Sequence, residues 1–388
     1  MLYERRPRST VFAIIFSSFL YTMVVPHQVK AGSQRDALVP LAQEIIKLVS
    51  GEKQTAIQIG DFTGAGHANI GPGLCYELKL ALNHLQPGIV HDKAPLILTG
   101  KYDQVSDPRS PAMVMLKIDA LVRDDRDKAV ADFNLSIEVR DNGLIAAGSG
   151  DTVYLPPKAN HEKRNEILQT AHAKPGYHAE NTIVRTRPDS PFGVEVLVAR
   201  KQNAPRDAAG WRRIAARPPV NQNGEAYVPI ERDEVYALRF HNSMKREAAV
   251  TATIDGVDVF AFSEVVDAKG YPRYRHVIVP PGGAFLLGWH KTNKHSDSFL
   301  VTEYGLGASS SIGLPAKGNV GVITLRFALA WQGDKVPDEE AGSRDGGNET
   351  GFGPPVGANQ KETPRKIGVD RDIISIRYNR HAVVERNP

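Results

Sequence analysis

Residues 235–262 read VYALRFHNSMKREAAVTATIDGVDVFAF, and three strands follow from them directly. Stretches 235–240, 248–254 and 257–262 are short runs of β-branched, small and aromatic residues, and Asp255-Gly256 between the last two is a hairpin-turn pair. No helical period lies between them. The pattern continues outward in both directions. Stretches 192–198 and 226–230 come before it, and 274–279, 284–289, 298–304 and 320–331 come after, with turns at Asn223-Gly224 and Pro280-Pro281-Gly282-Gly283. Strands spaced this closely predict an antiparallel β-sandwich over residues 181–331.

Upstream, residues 33–155 mix two periods. Leu38, Leu41, Ile45 and Leu48 recur at helical spacing, with Gly51 as the stop. Residues 55–62 alternate as a strand around Ile57 and Ile59, and a glycine-rich loop runs to Gly73. A second helix carries Leu74, Leu78, Leu82 and Leu85 on one stripe. Strands follow at 96–102, 112–122 and 129–139, the last two joined by a charged turn at 123–128. The order αβαβββ predicts a small mixed α/β domain, so the expected fold class is α+β, this domain preceding the sandwich. Residues 156–180 are polar and read as a linker. Residues 332–366, rich in Gly, Pro and charge, read as a disordered or loop linker. In 367–388, Ile374, Ile376 and Tyr378 alternate with Ser375 and Arg377, which predicts a strand returning to a sheet.

The first thirty-one residues read as an export signal. Arg5, Arg6 and Arg8 form a basic leader, an apolar run covers residues 11–25, and Val29-Lys30-Ala31 offers a small-residue exit. Fifteen residues are short for a spanning helix, which needs about 20, so no membrane span is expected in the mature chain. The expected location is periplasmic or secreted. Residues 1–31 hold four basic residues and one acid, leaving 44 basic and 43 acidic side chains, a formal charge of +1. No basic run interleaved with aromatics survives, which argues against a nucleic-acid partner. The lone cysteine, Cys75, sits among Leu74, Tyr76 and Leu78 and reads as a buried thiol.

No catalytic motif emerges. The glycine loop 60–73 ends in Gly71-Pro72-Gly73, without the Lys-Ser/Thr of a nucleotide loop, and Asn69 stands where a dinucleotide fingerprint needs glycine. Gly148-Ser149-Gly150 lacks the frame of a nucleophile elbow. Ser50-Gly51-Glu52-Lys53 falls at a helix end, where a serine–lysine pair would not share one turn. Glu264, His276, Asp297 and Glu303 are the candidates for an acid or metal cluster, but His290 and His295 are spaced five apart across a turn, so no metal and no cofactor is expected. Tyr271, Tyr274, Trp289 and Tyr304, with His290, are the candidates for an aromatic ligand platform.

Two resemblances accompany these readings. Residues 57–62, the glycine loop, the following helix, 97–102 and the paired strands ending in 129–133 resemble the α/β domain of curli-secretion and penicillin-binding-protein-activator envelope lipoproteins. That resemblance implies a binding or assembly part rather than a catalyst, although this chain lacks the lipid-anchoring cysteine. In the second half, 236–242, 254–259, Gly288-Trp289-His290 and 320–323 resemble an uncharacterised β-sandwich module of predicted secreted planctomycete-type bacterial proteins. The expectation is therefore an exported, non-enzymatic binding or assembly protein of the bacterial envelope, its partner an envelope protein or polysaccharide. The alternative is a hydrolase acting on an envelope polymer through carboxylates of the sandwich.

Overall fold

Leu38, Leu41, Ile45 and Val49 lie three and four residues apart, which puts one buried stripe on α1 (Gln34–Gly51). Leu74, Leu78 and Leu82 do the same for α2 (Gly71–Leu85), while Leu85, at the helix end, is exposed. In this computed structural model, which describes residues 21–24, 34–64, 71–107, 110–138, 150–268, 270–303, 307–308, 321–340, 350–353 and 363–378, both stripes pack on one sheet. Its strands are β1 (Tyr21–Val24), β2 (Ile57–Gly64), β3 (Leu96–Asp107), β4 (Ser110–Arg123) and β5 (Ala129–Glu138), in the order β1-β5-β4-β3-β2. β2 and β3 are parallel and β3, β4 and β5 antiparallel. Ala131, Phe133 and Leu135 on β5 alternate with less buried residues, the period-two signature of a sheet with one covered face. β1 comes from the stretch read as an export signal and runs parallel to β5, Tyr21 opposite Ala131. Residues 1–20 and 25–31 of that stretch lie outside the described residues.

The segment read as a linker is folded. Its centre is α3 (His161–Ala173), whose N-terminus is capped by the Asn160 side chain accepting from the Lys163 amide at 2.9 Å. Just before it, β6 (Val153–Tyr154) already belongs to the sandwich, pairing with the C-terminal strand, so the boundary drawn at residue 155 falls inside the second domain's sheet.

The sandwich has two sheets. One runs β7 (His178–Glu180), β8 (Ile183–Arg185), β9 (Phe192–Arg200), β13 (Glu234–Asn242), β19 (His295–Leu300), β18 (Gly288–Thr292), with β10 (Ala216–Arg217) on β9 and β17 (Ala284–Leu286) on β13. The other runs β11 (Val220–Gln222), β12 (Glu225–Tyr227), β22 (Thr363–Arg377), β20 (Val322–Trp331), β14 (Glu247–Ile254), β15 (Val257–Asp258). β16 (Val277–Val279) joins β14, and β21 (Thr350–Gly353) and β6 join β22. Pairing is antiparallel except between β12 and β22. The run expected at 257–262 is a two-residue strand followed by turns, and that at 284–289 divides at Leu287 into β17 and β18. The C-terminal strand is longer than expected and starts inside the segment read as a loop. It pairs with β21, whereas 341–349 and 354–362 lie outside the described residues.

The hairpin turn read from Asp255-Gly256 is present, with both residues at positive φ, 53° and 77°. Asp255 also staples the neighbouring chain: Oδ1 accepts from the Gly321 and Val322 amides, and Oδ2 from the Tyr378 hydroxyl at 2.9 Å. Between the sheets, Phe327 stacks on Phe192 with ring centres 5.1 Å apart and meets Phe240 edge-on at 5.9 Å. All three rings are buried. Phe327→Ala would open a cavity between both sheets and is expected to cost about 3–5 kcal/mol, measurable as a shift of the urea midpoint at unchanged slope.

Both outer faces are also partly covered. Leu197, Val235, Ala237 and Phe285 on the first sheet are capped by Trp211 from α4 (Ala208–Trp211). On the second sheet, Val153, Val257 and Ile373 enter the core of the N-terminal domain. Tyr76 of α2 seals that contact by donating its hydroxyl to the Ala261 carbonyl at 2.9 Å. Strands buried on both faces lose clean alternation, which is why β9 reads as a nearly continuous apolar run.

Candidate functional site

A groove of about 550 Å³ opens between α3 and the sandwich. One wall is a single face of α3, carrying Lys163, Glu166, Ile167 and Thr170, continued by Lys174 just past the helix end. The other consists of β6 and the stretches 176–178 and 186–188. Arg164, on the far side of α3, anchors the helix. It is buried and donates to the Pro156 carbonyl at 3.2 Å and to the Asp370 carbonyl of β22 at 2.8 Å. His172 Nδ1 lies 3.0 Å from Oδ2 of buried Asp151, fixing the last turn.

Arg187 is the most organised group in the groove. Its guanidinium lies over the Tyr154 ring, 3.6 Å from the centroid, a favourable cation–π geometry. The turn that carries it is held from below by Asp372 of β22, which is almost fully buried. Asp372 Oδ1 accepts from the Ser190 hydroxyl at 2.8 Å and from Thr186, so one carboxylate grips both ends of the turn. Its Oδ2 has no hydrogen-bond partner among the described residues, and burial pushes the Asp372 carboxyl above its ordinary range. Asp372 is also the cross-strand partner of Tyr154, so the ring, the arginine and the carboxylate form one unit. Tyr177 lines the groove half-buried, and burial raises its hydroxyl above the usual value.

The residues singled out from the sequence lie elsewhere and do not converge. Tyr274 is not a surface ring: it is 2 % exposed, packed against Phe260 and edge-on to His290. His290 is buried too, with Nδ1 3.0 Å from the Ser263 hydroxyl. Trp289 is half-buried, meeting Phe262 and Phe299 edge-on at 5.0 and 5.4 Å. Tyr271 pairs with His84 of α2 at 5.5 Å, and Tyr304 lies outside the described residues. The rings therefore cement the domain seam and the core instead of forming one platform. Among the carboxylates, Glu264 is exposed, Asp297 pairs with His295 at 3.0 Å, and Glu303 pairs with Arg232. His276 Nδ1 lies 2.9 Å from the Thr251 hydroxyl. Among the described residues no group of three His, Cys, Asp or Glu side chains is arranged to hold a metal.

Two other carboxylates have unusual surroundings. Burial pushes the Glu195 carboxyl up, but His241, Thr182 and Arg239 together outweigh it and hold the group down at about 2. His241 Nε2 and Arg239 Nε both reach Glu195 Oε2, at 2.7 and 2.5 Å. Asp258 goes the other way. Burial raises it to about 7, the Phe260 amide opposes this, and the negative charge of Glu77 on α2 adds to it. Cys75 is a buried thiol donating to the Gly60 carbonyl at 3.3 Å, and burial lifts it to about 12, well outside the nucleophile range.

The groove was missed because its helix is largely polar. The cap Asn160, the last-turn His172 and the Pro175-Gly176 stop were legible, but Leu168 is the helix's one strongly buried apolar residue, so the periodicity was faint. Comparison with protein-family models, with curated proteins and with solved structures finds no match for this chain.

Proposed function

We propose that this chain is an exported, non-enzymatic binding or assembly protein of the bacterial envelope, periplasmic or secreted, and that it holds a polysaccharide or protein partner in the α3 groove. The observation that carries this reading is the prearranged Arg187–Tyr154–Asp372 unit. A charged side chain stacked on an aromatic ring and fixed through its turn by a buried carboxylate has surrendered its freedom before any ligand arrives. The basic leader, apolar run and exit of residues 1–31 support export, and among the described residues no helix is long and apolar enough to cross a membrane.

Capture of native envelope material tests the reading. Thr170 is exposed on the groove face of α3, so Thr170→Trp fills the groove without touching the core. The variant is expected to retain its melting temperature and to capture its partner at least tenfold more weakly. Equal capture by variant and parent would remove the groove from the proposal. A hydrolase is the second reading, favoured by the near-neutral Asp258 carboxyl beside Glu77. Steady release of soluble sugar from the same envelope material, lost in Asp258→Asn, would select it over binding.

A further inference from the structure

We propose that the groove is built for an acidic glycan, a saccharide chain bearing carboxylate or sulfate groups; this rests on the groove being the binding site. Three permanent cations reach it, Lys163, Lys174 and Arg187, against one lining carboxylate, Glu166. Glu166 is tied to Lys163 at 2.8 Å, and Arg187 has Asp189 beside it at 3.3 Å. Lys174 makes no ion pair among the described residues. The pairing therefore leaves a net positive groove with one ammonium uncommitted and one guanidinium held over the Tyr154 ring, 3.6 Å from its centroid. An arginine fixed in this way suits a planar carboxylate or a sulfate, which it meets with two parallel N–H donors.

The remaining surface favours sugar over other anions. Tyr177 supplies ring surface, amphipathic and rigid, of the kind that covers a sugar's C–H face while leaving its hydroxyls wet, beside the Tyr154 ring that Arg187 covers. Gly176 has nothing within 4 Å of where a Cβ would sit, so the groove wall is open there and accommodates a chain passing through. Ile167 and Val153 are the sizeable aliphatic side chains of the lining, too little for an apolar peptide anchor. The near-neutral mature chain lacks the extended positive field that a nucleic-acid backbone requires.

The test is calorimetric titration of the full chain with oligogalacturonate, dextran sulfate, neutral dextran and oligo-dT, at low and high salt. Oligogalacturonate or dextran sulfate, or both, is expected to bind, and whichever binds identifies the anion. Affinity should fall about tenfold in Lys174→Ala with Arg187→Ala and again at high salt, and dextran should bind at least tenfold more weakly. Lys174→Ala alone, at the exposed position just past the end of α3, keeps the test valid if the double variant fails to fold, with a threefold loss expected. Dextran binding as tightly as the acidic chains, with loss in Thr170→Trp, overturns the charge assignment and leaves the groove as a binding site. Oligo-dT binding equally well overturns the glycan assignment. Absence of binding by every chain, or binding indifferent to Thr170→Trp, overturns the inference. Only the second of these, together with undiminished envelope capture by Thr170→Trp, overturns the groove itself.

Discussion

A chain ending at residue 362 is expected to lose cooperative folding of the sandwich altogether. β22 is the penultimate segment of the sequence, yet it lies inside the second sheet, between β12 and β20, and also pairs with β6 and β21. Its removal would strip hydrogen-bond partners from strands on both sides, including the long pairing with β20 from Val322 to Trp331. Ile374 and Ile376 fill the inner core and Ile373 the seam with the N-terminal domain, each with no exposed surface. Truncating one such isoleucine typically costs about 2–5 kcal/mol, so three together rival the roughly 5–15 kcal/mol that holds a whole domain folded. The loss also breaks ion pairs with little exposed surface: Glu340 would lose Arg371, and Glu225 would lose Arg377. Circular dichroism melts and limited proteolysis would show the result as a broad, non-cooperative transition and rapid cleavage after residue 180. A deletion that begins at residue 379 is the control and should melt like the parent. A sharp melt in the chain ending at 362 would mean that β22 is dispensable.

Stability should fall as pH rises from 4 to 8, and Asp258→Asn should make that slope shallower. The folded carboxyl is raised from its ordinary 3.8 to about 7 by burial, with Glu77 adding to the rise. Below pH 4 the group is protonated in both states, and the stabilising effect of its folded-state proton is complete. Between pH 4 and 7 the unfolded chain ionises while the folded one keeps its proton, so stability declines, and above 7 the contribution is gone. The upper limit of that loss is about 4 kcal/mol. Asparagine keeps the oxygen that accepts from the Phe260 amide and removes the charge. The variant is therefore expected to match the parent near pH 4 and to exceed it at pH 8 in urea unfolding. Asp255 and Asp372 are raised too and leave a residual slope of the same sign. Glu195 cannot mimic the effect. Its carboxyl is held at about 2, so its contribution is present above pH 4.5 and disappears only as pH falls through 2. A parent and variant with parallel profiles between pH 5 and 8 would show that Asp258 ionises normally.

Much of the architecture was legible residue by residue. Leu74, Leu78 and Leu82 announced α2, the β-branched and aromatic run 235–240 announced β13, and Asp255-Gly256 announced the hairpin after β14, because each pattern reports the geometry of a local element. The functional candidates were less legible. Trp289 and Tyr274 share the composition of a sugar platform and of a core, and burial alone separates the two. Tyr154, Arg187 and Asp372 carry no joint signal at all, since they stand 33 and 185 positions apart along the chain.

By itself, then, the sequence determined the local matters: the α+β class, most strand and helix positions, the hairpin turns, the buried thiol of Cys75 and the alternation that sends the C-terminal tail into a sheet. The tertiary structure alone decided which sheet receives that tail, that a polar segment becomes α3, and that an arginine, a tyrosine and a carboxylate meet in one groove. The division has a physical cause. Periodicity is imposed by the chain's own helical or pleated geometry over a few residues, whereas β22 reaches β6 and Arg187 reaches Tyr154 through contacts whose free energy appears only when the whole core has closed.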